Sequence, residues 1–299
     1  MSGFWRKRLW DMEWTVAIRP HREGDAFCRP MQFQPLKNTW RYWCADPFPF
    51  DYKGKTYIFM EVADILTQKG AIGYRMIDKG KVGPICICLK TPHHMSYPML
   101  FTCGDDIFMI PECHESKTLT IYRAKVFPDK WEPVEIVLRD KMVCDTNYLL
   151  WEGKEYLLTM PLRGNPYRYD ALELYCRGED GAWTLCENSP FVLGAEKARN
   201  AGHFFMLDGR LMRPSQNCGA SYGENIVFNR VLALNDAEYR EEVWQELAVS
   251  DVETGSTKYD GIHTFNSSPS YDVIDLRVAE KFQPAKLLYF LRCKLKRGK

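Results

Sequence analysis

Three carboxylates stand where a side chain can do acid–base work. Asp46 opens the run DPFPF, Asp145 opens DTNYLL, and Glu112 follows a proline at the end of the apolar run IFMIP. An acid closing an apolar strand is desolvated, and desolvated carboxylates that feel one another are pushed to different pKa values. Such a pair divides the work of a reaction at a glycosidic bond. One group protonates the leaving oxygen while the other activates water or an acceptor hydroxyl, across roughly 6.5–9.5 Å in inverting enzymes. On this reading Asp46, Glu112 and Asp145 are the candidate catalytic carboxylates. The competing reading of Asp46 is an Asx turn that starts a strand. Glu61, in FMEVAD, holds nearly the place of Glu112 and is explained equally well as a solvated turn acid.

Other residue types near these acids suit a hydroxyl-rich ligand. ARNAGHFFM and RLMRPSQNCGASYG supply Arg199, Asn200, His203, Arg213, Gln216 and Tyr222. Arginine and amide side chains offer several directional donors, which suits hydroxyl or anionic groups. Beside His93, the residues His94, Ser96 and Tyr97 begin HMSYPMLF, and His263 with Asn266 brackets HTFN. Trp43 and Tyr97 offer flat faces for stacking on a sugar ring. Strand capping by the polar groups is the plain alternative. No metal or other cofactor is expected. Cys86 and Cys88 form a C-x-C without a second Cys/His pair, and Cys113 with His114 lacks one too, so buried thiols are favoured over zinc. A phosphate-cradling glycine loop and an Asp-x-Asp motif are both absent.

Residues so far apart along the chain need an architecture that gathers them, and the sequence repeats one. CADPFPFDYKGKTYIF, HMSYPMLFTCGDDIFMI and VCDTNYLLWEGKEYLLT share an apolar run, a glycine turn and an aromatic run, with glycines at 54, 104 and 153. HFFMLDGRLMRP adds a fourth at Gly209. Third and fourth runs recur behind each turn (IGYRMID, LTIYRAK, LELYCR; then ICICL, VEIVL, SPFVL), so each unit is four short strands. Four antiparallel strands repeated at about 50 residues are a propeller blade. Blades are expected at about 40–91, 92–142, 143–194 and 195–255. HTFN and YDVIDLRV, joined by the otherwise unpartnered EWTVAIRP near the start, close a fifth and remove the sheet edges. The fold class is therefore all-β, a single five-bladed propeller over 1–283. In such a ring the starts of the first strands line one funnel. Eight residues before each turn glycine lie Asp46, Ser96, Asp145 and Ala201.

A tail over 284–299, PAKLLYFLRCKLKRGK, reads as a short basic amphipathic helix. It either docks on the propeller wall or adheres to an anionic membrane surface. In the 299-residue chain, 40 Lys+Arg nearly cancel 39 Asp+Glu, so no overall field recruits nucleic acid. No apolar run is long enough to span a bilayer. Eleven cysteines without an apolar leader segment point to a reducing compartment, giving a cytoplasmic expectation, at the inner membrane surface if the tail adheres.

The ordered phrases ADPFPF, HHMSYPMLF, MIPE, LTIYRAKVFPDKW, RPSQNCGASYG and HTFN resemble the family 43-like five-bladed propellers of carbohydrate-active enzymes. They are more closely similar to the bacterial relatives of the propeller domain at the N-terminus of plant glucosamine inositolphosphorylceramide transferases. The resemblance covers about Trp40 to Val278. It implies a carbohydrate substrate and the general-base role at Asp46, with Glu112 then the acid and Asp145 orienting or tuning them. Family 43 enzymes also use an Asp opening blade two and a Glu acid in blade three, whereas here Ser96-Tyr97 opens blade two, Asp145 opens blade three, and Glu112 lies in blade two. The sequence thus points to glycoside hydrolase-like chemistry in the funnel. The alternatives are a glycosyltransferase or accessory protein of polysaccharide or glycolipid assembly, and a non-catalytic glycan-binding propeller.

Overall fold

The structure, a computed structural model, describes residues 9–22, 27, 29–164 and 167–297. The basic residues before Leu9 and the last two residues of the tail lie outside it. Two-residue turns set the repeat. Lys53-Gly54, Glu152-Gly153 and Asp208-Gly209 all have positive φ at both positions, the hairpin turn whose twist matches the strands it joins. Around them form blade one (Tyr42–Tyr52, Lys55–Asp64, Lys69–Asp78, then Lys81–Val82 and Cys86–Leu89) and blade three (Val143–Trp151, Lys154–Pro161, Ala171–Arg177, Trp183–Leu185 and Phe191–Val192). Blade two is Ser96–Cys103, Asp106–Glu112, Thr118–Val126 and Lys130–Arg139. Blade four runs through Arg199–Asn200 and Phe205–Leu207, then Arg210–Asn217, Asn225–Leu234 and Tyr239–Ala248.

Blade five closes the ring as the sequence requires. Its order is Phe265–Ser267, Tyr271–Phe282, Trp10–Pro20 and Gln34–Pro35, so a strand from the start of the chain pairs along its length with one from near the end. Five apolar clusters fill the five seams between neighbouring blades. One joins Phe48 and Phe59 of blade one to Met99 and Met109 of blade two. Another, with Val16, Val273, Ile58 and Met60, joins blade five back to blade one. The seams are what hold the ring shut, because burying apolar surface is the main favourable contribution to folding.

Gly202 marks a close backbone approach between blades four and five. Its φ is 146°, and a Cβ there would collide with the Phe265 carbonyl oxygen. Gly202→Ala is expected to cost at least about 2 kcal/mol, because an L side chain is strained at that φ and the obstacle is backbone. A thermal melt should show it as a loss of about 5 °C.

Candidate functional site in the propeller funnel

Antiparallel pairing puts the ends of second strands beside the starts of first strands. Glu61 lies opposite Ala45, and Glu112 opposite Ser96. Asp46, Glu61, Glu112 and Asp145 therefore meet at one end of the ring, all below 7% exposed. The first strands carry a bulge at this level, where register shifts between Ala45 and Phe48, between Cys144 and Asn147, and opposite Ile110–Glu112. At the bulges Asp46, Tyr97 and Asp145 adopt the left-handed conformation, with φ of 49°, 44° and 48°. That conformation is strained for a non-glycine residue, and bulges commonly re-aim side chains beside functional sites.

The residue of blade two equivalent to Asp46 is thus Tyr97, which corrects the choice of Ser96. The cause is the turn. In blade two Gly104 has positive φ and Asp105 does not, so the glycine is the first residue of its two-residue loop, not the second. Counting back from the glycine then lands one residue early. A one-residue slip moves a side chain to the other face of its strand.

Each acid at this level has a basic partner. His263 Nε2 lies 3.5 Å from Asp46, His94 Nε2 3.2 Å from Glu61, and His114 Nδ1 2.8 Å from Glu112. Arg199 donates through Nε to Asp145 and brings Nη2 within 3.9 Å of Glu112. His94 Nδ1 lies 3.0 Å from the Gly70 nitrogen, which turns Nε2 toward Glu61. Asp46 accepts from the Tyr97 N–H at 3.2 Å and the Thr264 hydroxyl at 3.1 Å.

These surroundings separate the carboxylates. Burial pushes Asp46 up to about 6, with His263 opposing the rise and Glu61 and Asp275 adding to it. Glu112 goes the other way. Burial alone would raise it, but the His114 hydrogen bond and the Arg199 charge hold it down at about 2. For Asp145, burial and the neighbouring Glu112 and Asp46 push upward while Arg199 pulls down, and the net direction is up. One carboxyl that keeps its proton up to about pH 6 and one that loses it near pH 2 is the arrangement acid–base catalysis needs.

Several residues expected at a ligand serve the frame instead. Tyr97 is fully buried, its hydroxyl donating to Asn147 Oδ1 at 3.1 Å and accepting the Gly202 N–H at 2.9 Å, so it offers no stacking face. Arg213 is fully buried in a two-pronged pair with Glu241 at 2.8 and 2.7 Å. Asn200 donates to the main-chain oxygens of Asp145 and Leu158, tying blade four to blade three. Gln216 donates to Asp145 Oδ2 at 3.0 Å and positions that acid from behind. Asn266 is held between the Pro47 oxygen and the His203 N–H. His203 sits edge-on to Phe48, and burial holds its imidazole down at about 4, neutral at ordinary pH. His263 is 2% exposed and stacked on Trp14 at 3.9 Å, so it meets Asp46 and not a ligand. Ser96 is buried beside Glu112, and Trp43 is half-buried opposite Ala63.

The open rim is aromatic and basic. Tyr222 is 38% exposed and lies 5.1 Å from the Arg199 guanidinium, and Tyr169 lies 6.0 Å from the same group. His94 and His114 complete the rim, their side chains 31% and 28% exposed. Tyr222 thus offers the exposed aromatic face that the buried Tyr97 lacks.

Four supporting residues escape a sequence reading. Asp275 accepts the N–H groups of Asp46, His263 and Thr264 and sits 2.7 Å from His263 Nδ1. Its signal is an acid inside the apolar strand YDVIDLRV. His114 was visible only as half of a Cys-His pair, and Thr264 and Trp14 carry no signal. Two groups of described residues bring ligand-type atoms within 4.8 Å of one another, Asp46–His263–Asp275 and Glu112–His114–Cys144. The first is rich in oxygen and would suit a hard cation. The sequence reading placed no metal at either.

Comparison with known proteins agrees with the fold. Residues 37–276 match the family model described as glucosamine inositolphosphorylceramide transferase 1, N-terminal. Glucosamine inositolphosphorylceramide transferase 1 of Oryza sativa subsp. indica is 30% identical over 224 residues, covering 73% of this chain and 30% of the relative. The protein of the same name from Arabidopsis thaliana is 34% identical over 203 residues, 66% of this chain and 26% of the relative. The chain therefore spans under a third of either. Among solved structures, the catalytic domain of a Coprinopsis cinerea GH62 alpha-L-arabinofuranosidase superposes with a TM-score of 0.57 at 10% identity, over 90% of this chain and 97% of that one. A GH43 beta-xylosidase/alpha-arabinofuranosidase from a compost microbial metagenome gives 0.51 at 13% identity, over 81% and 90%. At such identity the likeness is one of fold.

Proposed function

Because the chain belongs to the family of the N-terminal domain of glucosamine inositolphosphorylceramide transferase 1, we propose that its funnel binds a carbohydrate and acts at a glycosidic bond by carboxylate chemistry. The observation that carries this reading is the opposed tuning of Asp46 and Glu112 at one end of the ring. Asp46 holds a proton up to about pH 6 and protonates the leaving oxygen. Glu112, held near 2, is ionised at neutral pH and activates the attacking water or hydroxyl. This reverses the roles expected from the sequence. Asp145, fixed by Arg199 and Gln216, orients Glu112 through its own N–H, 3.3 Å from Glu112 Oε2. The ligand enters over Tyr222 and Arg199, an aromatic face beside a guanidinium that suits a sugar ring bearing hydroxyl or anionic groups.

One observation favours a second reading. The matched relatives are named transferases, and the chain spans only about 30% of the rice protein. A sugar-binding partner to a separate transfer domain in glycolipid assembly would fit that share.

The pH profile tests the assignment. With Asp46 as acid and Glu112 as base, log kcat/KM on a panel of aryl glycosides is level below about pH 6 and falls about tenfold per unit above it. The sign follows from which form works: the active Asp46 is protonated and is lost as pH rises through its pKa, while Glu112 stays ionised throughout. A limb that rises through pH 6 would instead make Asp46 the base, and no turnover with or without an added acceptor alcohol would favour the binding role.

A further inference from the structure

The helix Lys286–Arg297 meets the propeller with the opposite face from the one an ordinary docking helix would use. Lys286 is buried and pairs with Asp11, Ala285 just before it is buried, and Tyr289, Phe290 and Cys293 are half-buried. Leu287, Leu288 and Leu291 are 40%, 47% and 56% exposed. At about 100° per residue, positions 286, 289, 290 and 293 share one side of a helix, and positions 287, 288, 291 and 295 share the other. The leucine stripe is therefore turned away from the protein, which excludes docking on the propeller wall through its apolar face.

An apolar stripe left in water needs an occupant. The sequence of the helix, KLLYFLRCKLKR, has Lys or Arg at 286, 292, 294, 296 and 297 and no acid. Positions 294 and 292 fall on the two flanks of the stripe, near 80° and 240° on a wheel that starts at Lys286. Just before the helix, Phe282 is 45% exposed and its ring lies 4.6 Å from that of Trp10. Apolar centre and cationic flanks are the pattern of a helix lying in the plane of an anionic bilayer surface. Among the described residues no helix is long and apolar enough to cross a membrane, which leaves lying on the surface as the mode open to this helix.

We propose that this face is a membrane-docking surface: Leu287, Leu288 and Leu291 enter the headgroup–acyl boundary, and the flanking cations meet acidic lipid headgroups. Charge decides against a second copy as occupant, since pairing two such faces antiparallel or parallel would bring uncompensated cations together.

The test uses the full chain and sedimented vesicles. Phosphatidylcholine vesicles containing about 30% phosphatidylserine should bind it roughly tenfold or more tightly than pure phosphatidylcholine vesicles, with the gain lost at high salt. The triple variant Leu287→Ser, Leu288→Ser, Leu291→Ser should bind the anionic vesicles roughly tenfold or more weakly, with an unchanged melting temperature because the three sites are exposed. Arg292→Glu, a second exposed substitution, should remove most of the preference for acidic lipid. Equal binding to both vesicle types, or equal binding by the wild type and the leucine variant, overturns the proposal. So does a wild-type dimer in light scattering that the leucine variant converts to monomer, since the stripe would then be covered by a second copy.

Discussion

Asp46→Asn is expected to lower kcat by about 10²–10⁴-fold, the usual contribution of one positioned acid–base group, while glycan affinity and fold persist. The persistence follows from the contacts. Asp46 accepts the Tyr97 N–H on Oδ2 and the Thr264 hydroxyl on Oδ1. An asparagine can keep its oxygen toward the N–H and turn its amide toward Thr264, whose hydroxyl then accepts. The left-handed backbone at φ 49° is also tolerated by asparagine. What is lost is the proton. The descending limb above about pH 6 should vanish with it, because no group titrates there in its place at the leaving oxygen. Single-turnover kinetics and calorimetric titration with the best glycoside check both halves. Unchanged turnover ends the catalytic assignment. Loss of affinity along with turnover, in a variant with a native melting curve, would make Asp46 a binding residue and support the sugar-binding reading.

The ring was legible because its determinants are local. Glycine turns, alternating apolar residues and an unpartnered strand near the start all lie in short stretches, and the five seams follow once the blades are counted. The carboxylates were legible for the same reason, since equivalent places in a radial repeat converge. What escaped depends on contacts across the ring. Tyr97 shares the bulge of Asp46 because of a turn subtype, a property of two φ angles that residue names only partly encode. The proton on Asp46 depends on burial and on His263, Glu61 and Asp275, and its absence from Glu112 depends on the remote Arg199 as well as on nearby His114. Arg213 looked like a ligand-holding arginine because Glu241, its partner 28 residues on, reads as one more acid in the surface run YREEVWQE. The tail helix was legible in its residue pattern, but which side faces water was left open, because Lys286 finds Asp11 some 275 residues away.

That Arg213–Glu241 pair carries the largest stability effect expected in the molecule. Both side chains are wholly out of solvent. Arg213 gives two hydrogen bonds to Glu241, one to Asn200 Oδ1 at 2.9 Å and one to the Lys197 oxygen at 2.6 Å, and the Tyr239 hydroxyl also donates to Glu241. Glu241→Ala leaves a buried guanidinium without its counter-charge, which costs about 3–5 kcal/mol. For a domain of this size the melting temperature should drop by roughly 10 °C. Replacing both partners, Arg213→Met with Glu241→Leu, should recover part of that loss, because the unpaired charge is gone while Asn200 Oδ1, the Lys197 oxygen and the Tyr239 hydroxyl each lose a partner. Activity should not recover in the same way. Asn200, released by Arg213, is the side chain that holds the Asp145 carbonyl at 2.6 Å, and Asp145 sets Glu112 through its N–H. The double variant is therefore expected to melt above Glu241→Ala yet turn over more slowly than wild type at unchanged KM. A melting point for Glu241→Ala within about 2 °C of wild type would show that the cation finds water or another acid, and the coupling from blade four to the funnel would fall with it.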